Sequence, residues 1–61
     1  MRTLNEEAYI VQKAMQKWGG SFVKNLGKAL QVADLNNTRL IKEAWSDYWE
    51  KYLNMGETLE S

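Results

Sequence analysis

The 61-residue chain contains no proline, no cysteine and no histidine, and only four glycines. Each absence closes a route. Without cysteine there is no disulfide and no thiolate to hold a metal. Without histidine, a zinc site lacks its other favoured ligand, so no metal and no cofactor are expected. Without proline, nothing in the chain forbids helix outright. The longest apolar run is Ala8-Tyr9-Ile10-Val11, far short of the ~20 residues that span a bilayer as a helix. Acidic residues stand in the N-terminal stretch where a signal peptide would carry its apolar segment. No membrane partner is expected, and the default location is cytoplasmic. Catalysis is equally short of material. Ser21 and Ser46 have no histidine to activate them, and no phosphate-binding glycine pattern occurs, so the chain reads as non-catalytic.

The apolar spacing follows a helical period of about 3.6 throughout, and the fold class is therefore all-α. A first helix is expected over residues 4–18. Thr3 serves as its N-cap and Glu6 as the capping-box partner three residues on. Leu4, Ala8, Val11, Met15 and Trp18 form its apolar stripe, and Tyr9 lies on the opposite side. Gly19-Gly20 should end this helix in a left-handed cap. A second helix over 21–33 should take Ser21 as N-cap, with Phe22, Val23, Leu26, Ala29, Leu30 and Ala33 on one face. Gly27 beside that face costs about 1 kcal/mol relative to alanine, which close approach of another backbone would explain. Asp34, Asn36 and Asn37 can each cap the next helix, expected over about 36–54. It runs either unbroken or kinked near Ser46-Asp47, residues that favour helix ends over helix interiors. The tail 55–61 should fray. Short connections between such helices make neighbours antiparallel. The expected architecture is one domain over 1–61, a small three-helix bundle prone to self-association.

Four aromatic residues crowd into eight positions: Trp45, Tyr48, Trp49 and Tyr52. On a continuous helix they fall within about 100° of one face. Ile41, Trp45, Tyr48 and Tyr52 then form either core or a homodimer seam, with Trp49 at the edge of the stripe. Aromatic residues of this kind also dominate binding hot spots. Candidate partner contacts off the expected core are Tyr9, Ile10, Lys13, Lys17 and Val32, joined by Trp49.

Net charge is zero but unevenly spread: residues 8–42 hold six cations against Asp34 alone, while residues 43–61 hold five acids against Lys51. A basic middle admits an alternative reading as a small helix-turn-helix DNA-binding protein. Asn36, Asn37 and Arg39 would then face base edges and Lys24, Lys28 and Lys42 would face phosphates. The neutral total and the acidic second half of the supposed recognition helix count against nucleic acid as partner.

Gly19-Gly20-Ser21-Phe22-Val23, Leu26, Ala29-Leu30, Ala33-Asp34, Asn37, Leu40, Ala44-Trp45, Tyr48-Trp49 and Tyr52 together resemble a pattern in short helical proteins of bacteriophages and prophages. In those relatives a proline tends to stand where this chain has Ser46. The resemblance implies a mobile-element origin, an all-helical fold and action inside a bacterial host cell. It also implies binding to a host protein, including a defence complex that such proteins inhibit, and names no active site.

Overall fold

A computed structural model describes residues 2–59. Among them the chain forms four helices and no strand: α1 (Leu4–Trp18), α2 (Ser21–Gln31), α3 (Leu35–Ala44) and α4 (Ser46–Leu59). The all-helical reading holds, and the count is four where three were expected.

Helix α1 begins as its sequence dictates. The Thr3 hydroxyl accepts from the Glu6 amide at 3.2 Å, and the Glu6 carboxylate accepts from the Thr3 amide at 2.9 Å. Two of the donors that every helix start leaves unpaired are thereby satisfied. Its far end differs from expectation. Gly19 sits at φ −80° and ψ 160°, extended rather than left-handed. Glycine is needed there for space: a Cβ would lie 2.5 Å from the Met15 carbonyl and 2.6 Å from a Val23 methyl.

Helix α2 takes Gly20 as its N-cap, with no side-chain cap bond, and Ser21 is its first helical residue. The Gly20 carbonyl already accepts from the Lys24 amide at 2.8 Å, which places the cap one residue before the serine. The helix stops at Gln31, short of Ala33, because the amides of Val32 and Ala33 bond back three residues to Ala29 and Leu30. Gly27 does lie at a close helix crossing. A Cβ there would meet the Met15 Cβ at 2.8 Å and the Gln12 carbonyl at 3.1 Å.

Asp34 caps α3, its carboxylate accepting from the Asn37 amide at 2.8 Å. Asn36 and Asn37, the other capping candidates, lie inside the first turn. The chain leaves helical geometry at Trp45, with φ −126° and ψ 50°. Its amide closes α3 on the Ile41 carbonyl, and its own carbonyl accepts the Trp49 amide, opening α4. Ser46 is the first residue of α4, and Asp47 lies in its first turn, where a helix dipole favours an acid.

Helix α4 also runs longer than expected. Met55, Gly56 and Glu57 are helical, and the helix reaches Leu59. Gly56 is buried, and a Cβ there would collide with a methyl of Ile10. Glu57 pairs with Arg2. The expected fraying is thus overruled by packing for residues 55–59, while Glu60 and Ser61 lie outside the described residues.

The core is built from Ala8, Val11, Ala14 and Met15 of α1, Val23, Leu26 and Leu30 of α2, and Trp49 and Tyr52 of α4. Helices α1 and α2 run antiparallel: Val23 meets Gly19, Gly27 meets Met15 and Gln12, and Leu30 shares a depression with Ala8 and Asn5. Helices α1 and α4 run in the same general direction: Glu7 meets Trp49, and Ile10 and Ala14 meet Gly56. Helix α3 contributes only Thr38 to the buried set and rests across the ends of this three-helix body.

Candidate interaction surface

The aromatic stripe divides in a way that a continuous helix would not allow. Trp49, placed by sequence at the stripe's edge and among partner contacts, is only 2% exposed and belongs to the core. The break at Trp45 is the reason. It frees α4 from the phase of α3, so Trp49, Tyr52 and Gly56 turn together toward α1. Ile41 and Tyr48 are half-buried against the core, and Trp45 remains 37% exposed. Phe22, assigned to the second helix's core face, is exposed instead. Its ring lies 6.2 Å from Trp45 and 6.4 Å from Tyr48, in tilted contacts that run on to Tyr52. These separations lie within the favourable range for aromatic pairs.

Behind the core aromatics stands a polar clamp. Glu7 accepts from the Trp49 indole N–H at 3.0 Å and from the Lys42 ammonium at 3.0 Å. Lys42 also lies 5.5 Å from the centre of the Trp49 ring. One carboxylate thereby ties α1 to both α3 and α4. Sequence places Glu7 beside Glu6 as a favourable first-turn acid, which it is, but its partners stand 35 and 42 residues away and leave no local signal. The indole donor, first, and the lysine, second, hold the Glu7 carboxyl below its ordinary value of 4.5.

The sign of the pH effect follows. A carboxyl with a depressed folded pKa adds stability that is fully present above its unfolded pKa and is lost as pH falls through the folded one. Hydrogen bonds to a charged group contribute about 1.5–3 kcal/mol. The Glu7 side chain is 24% exposed, which puts the expected loss near the lower end of that range. Urea unfolding at pH 6 and again at pH 3 should show this loss in the natural chain. Glu7→Gln should be weaker at pH 6 and lose less between the two. An equal pH response in both proteins would overturn the assignment.

An apolar groove opens on the surface between α2 and α3. It is an open hollow of about 520 Å³, lined by Ala29, Val32, Ala33, Asn37, Leu40, Ile41, Ala44 and Trp45. Val32 is 83% exposed and Leu40 54%. Exposed apolar residues that gather in one place mark an interaction surface more often than do scattered ones. Leu40 and Ala44 are readable in the sequence as an apolar flank beside Ile41. That they face Ala29 and Val32 across a groove depends on the tight turn at 32–34.

The remaining sequence candidates fall elsewhere. Tyr9, Lys13 and Lys17 lie on the outer side of α1 beside Gln12, Gln16 and Gln31, in a shallow and mainly polar depression. Tyr9 is 61% exposed, and the Lys13 ammonium sits 5.3 Å from its ring centre. Lys17 approaches the Trp18 ring at 5.0 Å. Ile10 is half-buried against Gly56. Ile10 shares a small pocket with Tyr9 and Lys13, whereas Val32 belongs to the apolar groove and Trp49 to the core, so the six proposed contacts fall into three separate places. Of the alternative nucleic-acid residues, Asn36, Asn37, Arg39, Lys24 and Lys28 are exposed, whereas Lys42 is engaged by Glu7. No helix among the described residues is long and apolar enough to cross a membrane. Compared with known proteins, the chain matches no family model, no curated sequence and no solved structure.

Proposed function

We propose that this protein acts by binding other protein rather than by catalysis, and that the groove between α2 and α3 is its principal contact surface. One observation carries the reading: Val32 and Leu40 stand exposed on either side of a hollow with alanine walls. Burying a branched aliphatic side chain is worth about 1.5–3 kcal/mol, and inside a single chain these two forgo it. The resemblance to phage and prophage proteins extends the proposal to a modulator of a host or defence protein in the bacterial cytoplasm. Its outward contacts would come from Tyr9, Lys13 and Lys17 on the far side of α1.

The helix-turn-helix alternative is weaker. The leading turn of α3 presents Asn36, Asn37 and Arg39, but Lys42 is held by Glu7, and exposed Leu35 and Leu40 flank the same helix. A photo-crosslinking amino acid at position 40, activated in bacterial cells, tests the choice directly. Adducts that survive nuclease and yield to protease are expected. Adducts with nucleic acid, or none with protein, would overturn the reading.

A further inference from the structure

We infer that α3 is a hinged strap, latched by the Lys42–Glu7 pair, that opens as a unit while α1, α2 and α4 stay folded. This motion belongs to the fold itself and is independent of what the groove binds.

The buried core takes nothing from α3. Every buried apolar residue among those described belongs to α1, α2 or α4. The close crossings at Gly27 and Gly56 join α1 to α2 and α1 to α4, and neither involves α3. Of the ten residues of α3, Thr38 alone is buried, and Ile41 and Lys42 are half-buried. The other seven are exposed, Leu35 and Leu40 among them. Segments with so little burial open at lower free energy than the core they rest on.

The joints let α3 go without undoing its neighbours. Helix α2 closes with the amides of Val32 and Ala33 on the Ala29 and Leu30 carbonyls, and α4 opens with the Trp49 amide on the Trp45 carbonyl. None of these bonds involves a residue of α3. A few residues at the ends of an element suffice for a hinge, and here they are Val32 to Asp34 on one side and Trp45 on the other. Reach is no obstacle. Ten helical residues span about 15 Å, and the same ten extended reach about 33 Å. Once detached, α3 has no reason to stay helical, since isolated helices shorter than about 12 residues are marginal in water.

The latch is mainly polar. The Lys42 ammonium donates to Glu7 at 3.0 Å and lies 5.5 Å from the Trp49 ring centre. Beside it, Ile41 packs on the core, and Thr38 closes over a depression shared with Ala8 and Leu30. Opening would remove the Leu40, Ile41 and Ala44 wall of the groove and uncover the strip around Ala8 and Leu30. One motion thus withdraws one apolar surface and presents another.

Native-state hydrogen exchange of the full chain, followed by NMR at urea concentrations below the unfolding transition, tests this. Amides of residues 39–44 should be protected at least about tenfold less than those of Met15 and Leu26. Their exchange should barely respond to urea, because opening ten residues exposes little surface, whereas that of Met15 and Leu26 should rise steeply. Lys42→Met keeps the aliphatic stem and should speed exchange in α3 about threefold. Val23→Ala, in the body, should speed Met15 and Leu26 about tenfold and leave α3 unchanged, because that packing persists when the strap is open. Equal protection and equal urea dependence in α3 and the body would overturn the strap, as would an α3 that follows Val23→Ala as fully as Met15 does. A Lys42→Met chain with natural exchange in α3 would overturn the latch. None of these results bears on the binding role, which cross-linking at position 40 reads separately.

Discussion

Trp49→Ala should leave most of the chain unfolded at room temperature. Truncating a buried aromatic side chain to alanine costs about 3–5 kcal/mol, and Trp49 is among the largest fully enclosed side chains in the core. Folded domains are stable by only about 5–15 kcal/mol, with short chains at the lower end. Two losses compound here. The apolar ring leaves a void between α4 and α1, and Glu7 loses the indole donor that helps to hold its charge. Lys42 loses the ring beneath it at the same time. Trp49→Phe separates the contributions, since it retains much of the volume and deletes the N–H. It should cost less than half as much as the alanine change. Thermal unfolding followed by circular dichroism gives the comparison, and a Trp49→Ala protein with native helicity and a cooperative transition near that of the natural chain would refute the expectation.

Gly27→Val should be the second severe change. Its sign is not obvious from local preference, because glycine is about 1 kcal/mol worse than alanine within a helix. Packing decides the matter. A Cβ at position 27 already lies 2.8 Å from the Met15 Cβ and 3.1 Å from the Gln12 carbonyl. The carbonyl belongs to the backbone of α1 and cannot rotate away as a side-chain tip would. The two methyls of valine then force α1 and α2 apart over Met15, Leu26 and Leu30. Overpacking costs typically about 1–3 kcal/mol and sometimes more, and valine at a helix–helix crossing belongs at the upper end. Gly27→Ala makes a graded control, because its propensity gain offsets part of the clash. Urea midpoints should fall in the order natural chain, alanine, valine; a valine variant as stable as the natural chain would remove the close-crossing account.

The two residues illustrate what a single sequence can and cannot disclose. Gly27 was legible because its unfavourable propensity sits beside an apolar face, and close approach is the standard physical reason for tolerating it. The Thr3–Glu6 box and the Asp34 cap were legible for the same local reason: their partners stand three residues away. Trp49 was misassigned because its orientation depends on whether the helix continues through residue 45. One residue out of helical phase rotates every later side chain. Gly56 was misleading in the opposite sense from Gly27. The run from Met55 onward reads as a fraying tail, yet Gly56 lets α4 lie against Ile10. The Glu7 clamp had no signal at all, because nothing local connects residue 7 to residues 42 and 49. The groove occupied a middle position. Its apolar residues are visible one by one in the sequence, but which of them stay uncovered is known only after the core has been assigned.

Because α1 lies between α2 and α4, the chain cannot complete its core in the order in which it is made. Helix α2 reaches α1 early, through the short link at Gly19-Gly20. The other flank of α1 waits until residues 49–56 have been added, a separation of about forty residues that slows closure through the loop that must be ordered. During that interval Ala14, Ile10 and the Glu7 carboxylate face water or whatever lies nearby. A chaperone or a neighbouring nascent chain would meet the N-terminal hairpin in that half-dressed state. The fold is thus sealed from its C-terminal side, and a chain truncated before Trp49 would present a sticky helical pair rather than a partial domain.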